Sequence, residues 1–264
     1  MINIIVVIVA LYAAVVLVAY LNQRGMMYFP DTQRVAPVSV AMHDAEEVSF
    51  PSGDGVQLVA WHRPAAPGQP TVLYYPGNAG SVAWRSERMK YIGAKGYGFL
   101  FLNYRGYGGS DGKPNEKGLV ADGLAAYKYL GQRNVSGDQI ILFGESLGAA
   151  VAVQVASQRE IKALILEAPF TSAVDVAAKA YPYLPSRWLM KDRFESINHI
   201  KFIGAPLLII HGEADQVVPF SLGERLFADA VDPKSLMAVP DVGHNELDVP
   251  EVRARVEQFI DDLL

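Results

Sequence analysis

"ILFGESLGAAVA", Ile141 to Ala152, passes from an apolar, β-branched segment through Gly-Glu-Ser-Leu-Gly into a run of small helix-forming residues. A strand that turns this sharply into a helix brings backbones too close for Cβ atoms, and Gly144 and Gly148 remove them at the two tight points. The turn pushes the hydroxyl of Ser146 outward and seats it at the head of the helix. Glycine and serine are common, so the pattern alone proves little. It gains meaning when a base, an acid and paired backbone donors stand at matching strand ends.

On either side of this elbow the same alternation repeats. "TVLYYPG", "YGFLFLNYRG", "IKALILEAP", "APLLIIHGEAD" and "KSLMAVP" are continuous apolar runs. Between and after them, "SVAWRSERMKYIGAKG", "NEKGLVADGLAAYKYL", "SLGERLFADAV" and "PEVRARVEQFIDDLL" have helical period. Strands without polar alternation are covered on both faces, and strand–helix alternation implies right-handed crossovers and a parallel sheet. The fold class is α/β, a doubly wound, mostly parallel sheet, and 264 residues fit one such domain. "EEVSFPSGDGVQLVAWHRP" reads as a hairpin about Gly53-Asp54-Gly55. Phe170 to Ile203 holds no strand but carries "AYPYLPSRW", and it is expected to form a short helical cap.

Ile4 to Leu21, "IIVVIVALYAAVVLVAYL", has no charge, glycine or proline and is long enough to cross a hydrocarbon core of about 30 Å. A cleavable signal fits less well, because no basic residue precedes the run and "VAYLNQ" is a poor cleavage site. A buried core helix fits worse still, since no side of it is polar. Arg24 and Arg34 against the α-amino group tilt the count towards a cytoplasmic domain, by a margin too thin to fix the side. "MMYFP", Met26 to Pro30, is left to lie at the interface or against the domain. The net charge of −5 has no basic cluster behind it and argues against nucleic acid. With zero cysteines there is neither disulfide nor thiolate chemistry. Oligomeric state is left open.

Ligands of open α/β sheets sit at the carboxyl ends of the strands, which confines the search for partners of Ser146. A serine needs a histidine to take its proton and a carboxylate to hold the histidine's tautomer, and with a G-x-S-x-G elbow both follow the serine in the chain. Of five histidines, His43 and His62 precede it, His199 precedes a strand, and His211 ends a strand where a structural role is commoner. His244 lies in "VPDVGHNELD", a glycine-bearing loop that can reach back over the sheet. Asp215 emerges after "LLIIHGEA" and is the expected acid; Glu213 is the runner-up, and Asp241 is too close to His244 in sequence. Capping of the following helix is the structural alternative for Asp215. Glu145 is expected to join a local hydrogen-bond network rather than the chemistry. The oxyanion site needs two N–H groups, that of Leu147 after the serine and one from "YYPGNAGS", where Gly77 to Gly80 are small.

"YPGNAGS", "NYRGYGGSDG", "GESLGAA", "GEADQVVP" and "GHNEL", in this order, resemble the α/β-hydrolase-domain serine hydrolases. The resemblance is to the membrane-anchored "bud emergence" branch, near the prolyl-oligopeptidase-like and serine-aminopeptidase-like hydrolases, and covers nearly the whole chain. It implies Ser146 as nucleophile, Asp215 as acid, His244 as base, and Asn78 with Leu147 as oxyanion donors. One departure is Pro76, where many relatives carry histidine; the donors lie downstream of it. Arg105 of "NYRGYGGSDG" is expected to pair with Asp122 and clamp its loop. The expected division is 1–23 as transmembrane anchor, 24–44 as juxtamembrane segment and 45–264 as hydrolase domain, with the cap at about 170–203.

The expected function is hydrolysis of a carboxylic ester or thioester through an acyl-enzyme, on a small or lipid-like acyl substrate, with no metal or cofactor. Peptide cleavage, acyl transfer and a non-catalytic membrane-tethered binding module are the alternatives. Tyr181, Tyr183 and Trp188 either line the pocket or pack the cap.

Overall fold

The structure, a computed structural model, describes residues 2–264. The apolar run forms helix α1 (Ile2–Met27), which continues six residues past Leu21 and so carries Asn22, Gln23 and Arg24 down to the domain. Its side chains stay uncovered on most sides, from Ile4 at 64% to Leu21 at 66% exposure, and it is long and apolar enough to cross a membrane. The segment left open in the sequence settles against the domain: Tyr28 is buried and β1 (Phe29–Pro30) pairs with a loop of the sheet.

The hairpin is β2 (Glu46–Pro51) with β3 (Gln57–Arg63), antiparallel as the short turn about Gly53-Asp54-Gly55 requires. Then come β4 (Thr71–Tyr75), the two-residue β5 (Ala79–Gly80), α2 (Ser86–Ala94), β6 (Gly98–Asn103), α3 (Glu116–Gly131), β7 (Ile140–Glu145), α4 (Leu147–Ala156) and β8 (Ala163–Glu167). Two short helices, α5 (Ala173–Ala180) and α6 (Ser186–Leu189), occupy the strandless stretch, followed by β9 (Leu207–Gly212), α7 (Phe220–Asp229), β10 (Lys234–Val239) and α8 (Pro250–Asp261). The main sheet has eight strands in the order β10-β9-β8-β7-β4-β6-β3-β2, parallel from β10 to β6.

The continuous apolar runs are explained by two cores, one on each face. Leu73, Tyr75, Leu100, Leu102, Leu142 and Leu164 point to the side of α3, α4 and α7. Their neighbours Val72, Tyr74, Phe99, Phe101, Ile141 and Ile165 point to the side of α2 and α8. Each fully buried side chain of this size contributes about 1.5–3 kcal/mol relative to exposure, so neither face tolerates a polar alternation. Strand order reverses between β4 and β7, which are adjacent, and the crevice at that switch point is where the loops after β4 and β7 diverge.

Arg105 does pair with Asp122: its backbone N–H and guanidinium both donate to that carboxylate, at 2.7–3.1 Å. A second partner, Asp54 in the hairpin turn, takes the other edge of the guanidinium at 2.8 and 3.0 Å. One arginine thus ties the loop after β6 to α3 and to the hairpin. Since Asp122 is fully buried, Arg105→Ala strands a carboxylate without its counter-charge and is expected to cost about 3–5 kcal/mol. Denaturant unfolding of the two proteins in detergent micelles checks this, and equal midpoints would dismiss the clamp.

Candidate active site

Ser146 sits between β7 and α4 with φ 52° and ψ −114°, a backbone conformation that side chains larger than hydrogen rarely adopt. Its neighbours hold it there. A Cβ on Gly148 would lie 2.0 Å from the carbonyl oxygen of Tyr75, and one on Gly144 would lie 2.5 Å from Cα of Ala149. The Ser146 N–H is anchored to the carbonyl of Glu167 on β8 at 2.8 Å.

His244, in the loop after β10, places Nε2 2.9 Å from Ser146 Oγ and Nδ1 2.6 Å from Asp215 Oδ2. Donation of the Nδ1 proton to Asp215 leaves Nε2 as the acceptor facing the hydroxyl. Asp215 is buried beyond β9, and its Oδ1 accepts the N–H groups of Val217 and Val218, both at 2.8 Å. It therefore shapes its own turn as well as meeting His244; the residue capping α7 is Pro219. Burial alone would raise the Asp215 pKa, but hydrogen bonds from His211 and His244 hold it well below the usual carboxylate range. His211 stands behind Asp215: its Nε2 lies 2.9 Å from the carbonyl of Val218 and 3.3 Å from Asp215 Oδ2. Glu213 and Asp241 are exposed. His62 pairs with Glu46 and His199 with Ser157, while His43 is exposed.

Leu147 opens α4, so its N–H has no carbonyl one turn behind it. Asn78 stands after β4, on the other side of the crevice. Its side chain donates to the carbonyl of Met27 at 2.7 Å, and its own carbonyl accepts from Phe29 N–H and Tyr107 Oη at 2.9 and 2.8 Å. The pairing of β1 with β5 continues this grip on the loop.

Glu145 belongs to a network beneath that loop. Its carboxylate takes Arg85 on two edges, at 2.7 and 3.1 Å, and Tyr74 Oη. Arg85 also donates to the carbonyls of Ala79 and Ser81, at 2.8 and 3.3 Å. Burial would push the Glu145 pKa up; the guanidinium of Arg85 overrides it and brings it to about 2.

These groups stand at the floor of a cavity of about 580 Å³. Phe170, Val176, Tyr181 and Leu184 from the cap line one side of it, and Tyr20, Gln23 and Met27 of α1 line another. Of the three cap aromatics only Tyr181 is on the wall. Tyr183 and Trp188 do not line the cavity: Tyr183 stands edge-on to the ring of Tyr181 within the cap, and the two are 62% and 89% exposed. The contribution of α1 went unread in the sequence. Its signal was the small or slim stripe Val16, Ala19, Gln23 and Met27, the helix's half-covered face.

Comparison with known proteins agrees with this architecture. The family model for "Serine aminopeptidase, S33" matches residues 67–197. The Mycobacterium tuberculosis protein Rv2307c is 42% identical over 257 residues, covering 96% of this chain and 92% of its own. The zebrafish lysophosphatidylserine lipase ABHD12 is 31% identical over 256 residues, covering 82% of this chain and 66% of its own. Among solved structures, the Pyrococcus furiosus esterase PF2001 superposes with a TM-score of 0.71 at 23% identity, over 90% of this chain and 97% of that one. With the doubly wound sheet, the elbow at its switch point and relatives that span nearly its full length, the chain belongs to the α/β-hydrolase-domain hydrolases.

Proposed function

We propose that the protein is a serine hydrolase that cleaves carboxylic esters or thioesters through an acyl-enzyme, with Ser146 as nucleophile, His244 as base and Asp215 as the acid that orients it. The observation that carries this is the unbroken chain Ser146 Oγ, His244, Asp215, at 2.9 and 2.6 Å, on the floor of an apolar cavity. As Oγ attacks the acyl carbon, its proton passes to Nε2 of His244. The tetrahedral oxyanion is held by the N–H groups of Asn78 and Leu147, each worth about 2.7–4 kcal/mol of barrier. Collapse breaks the bond to the alcohol or thiol, which leaves with the proton from His244. Water then repeats the sequence with His244 again as base, releasing the acid and restoring Ser146. The low pKa of Asp215 keeps it ionised throughout, so it stabilises the imidazolium without taking its proton.

A lipid-like acyl substrate is supported by the apolar lining and by the name of the ABHD12 relative, a lysophosphatidylserine lipase. Residues 1–23 serve in this reading as a single membrane anchor, and 45–264 as the hydrolase domain with its cap at about 170–203. The segment 24–44 joins them and is packed on the domain through Tyr28 and Phe29. Glu145 and Arg85 act as supports, fixing the carbonyls of the loop that bears Asn78.

A fluorophosphonate probe is expected to label the wild type and to leave Ser146→Ala unlabelled; labelling of a folded Ser146→Ala would remove the nucleophile from this reading. His244→Ala is expected to lower kcat by about 10⁴-fold or more on any ester the wild type cleaves, with Tm within a few degrees. Glu145→Gln tests the support. The depressed pKa of Glu145 means that its ion pair contributes stability above about pH 4.5 and loses it as pH falls through about 2. Glu145→Gln is therefore expected to be less stable by about 2 kcal/mol at neutral pH, with the gap to wild type closing on acidification through that window. Thermal unfolding of both proteins across pH reads this directly, and a gap independent of pH would contradict it.

A further inference from the structure

The anchor helix is fastened to the cap at its C-terminal end and again near its middle. Gln23 and Leu189, Gln23 and Lys191, and Arg24 and Asp192 are joined by hydrogen bonds of 2.7–3.2 Å. Far up the helix, Tyr12 Oη donates to the carbonyl of Tyr183 at 2.8 Å. At 1.5 Å per residue, Tyr12 stands about 15 Å before Asn22, the first residue after the apolar run. If α1 spans a bilayer, a hydrocarbon core of about 30 Å accounts for roughly Asn3 to Asn22, and Tyr12 lies near its middle. The part of the cap touching Tyr12 then lies within the leaflet.

The composition of that part agrees. Tyr181, Pro182, Tyr183, Leu184, Pro185 and Trp188 form an apolar and aromatic tip, flanked by Lys179, Arg187 and Lys191. Long basic side chains can extend from such a tip to the headgroups, and Lys191 Nζ rests 4.1 Å from the ring of Tyr20. In water, Trp188 and Tyr183 at their observed exposure would form an unfavourable surface patch; in lipid they are solvated. The cavity above Ser146 runs between this tip and α1, bounded by Ala19, Tyr20, Gln23 and Met27. Met27 holds Asn78, so Ala19 marks a wall position about 12 Å along the helix from the oxyanion loop.

We propose that the cavity opens into the lipid leaflet and that a substrate acyl chain enters it sideways, lying along the Ala19–Met27 face of the anchor helix. This rests on the hydrolase reading above and adds to it a substrate class, long-chain amphiphiles resident in the bilayer, and a specificity-determining wall supplied by the anchor. A substrate drawn from the leaflet keeps its tail in apolar surroundings throughout, so entry avoids transferring that tail through water.

The test uses the full chain in phosphatidylcholine vesicles with acyl esters of one chromogenic alcohol, from butyryl to palmitoyl. Ala19→Trp fills the wall and is expected to lower the ratio of long-chain to short-chain kcat/KM by about tenfold or more. Val18→Trp, which points away from the cavity, is expected to leave the ratio at its wild-type value. Fluorophosphonate labelling of Ser146 in each variant reports that the site is assembled. Cleavage of the series with the same ratio in a labelled Ala19→Trp as in wild type overturns the inference and leaves the hydrolase reading standing. Absence of cleavage and labelling in wild type would remove the hydrolase reading instead. The placement of the tip is read separately by tryptophan quenching with lipids brominated on their acyl chains. Quenching that disappears in Trp188→Phe supports the immersed tip, and equal quenching in the two proteins refutes it.

Discussion

Everything at the candidate site depends on one strained turn, the backbone of Ser146 at φ 52° and ψ −114°. Such a conformation costs of order 1–3 kcal/mol and persists only where its surroundings over-determine it. Here they do so from three directions. The Glu167 carbonyl holds the Ser146 N–H, Gly148 lets α4 press against the end of β4, and Gly144 lets β7 pass beneath the start of α4. The hydroxyl is thereby fixed outside the turn, in front of His244.

The same turn organises the charged groups around it. Because Ser146 is thrown outward, its neighbour Glu145 is directed back under the loop after β4, where Arg85 links its carboxylate to the carbonyls of Ala79 and Ser81. The loop bearing Asn78 is thus held from below by an ion pair and from outside by Met27, Phe29 and Tyr107. On the far side, Asp215 is held by two backbone N–H groups and by His211, so His244 meets a carboxylate that has little freedom of its own. A site preorganised in this way spends little free energy on reorganising as charge develops.

The residues that follow α1 change how the chain is divided. A helix that merely tethered the enzyme would leave its floor and walls to the domain. Instead α1 supplies side chains to the cavity, and the residues that follow it pair with the loop on the crevice. The apolar helix and the cavity above Ser146 share one surface.

Local chemistry made much of this legible. Continuous apolar runs determined a sheet covered on both faces, their alternation with helical periods made it mostly parallel, and G-E-S-L-G determined a tight turn because only glycine fits its closest contacts. The strand-end rule together with chain order pointed to Asp215 and His244; the fold brings His244 to Ser146 across 98 residues of chain and Asp215 to His244 across 29. Arg105 with Asp122 was readable as a charge pair, but Asp54 was not, because the hairpin turn reaches that guanidinium only once β2 and β3 join the sheet. His211 behind Asp215, Arg85 beneath the loop and the stripe on α1 were equally invisible. Each is a contact between segments far apart in sequence, whose meeting depends on strand order and on the angle at which a helix leaves the domain. The sequence by itself determined which elements form and which face each buries, because period and close packing act within a few residues; which distant side chains share a site was decided by the tertiary structure alone.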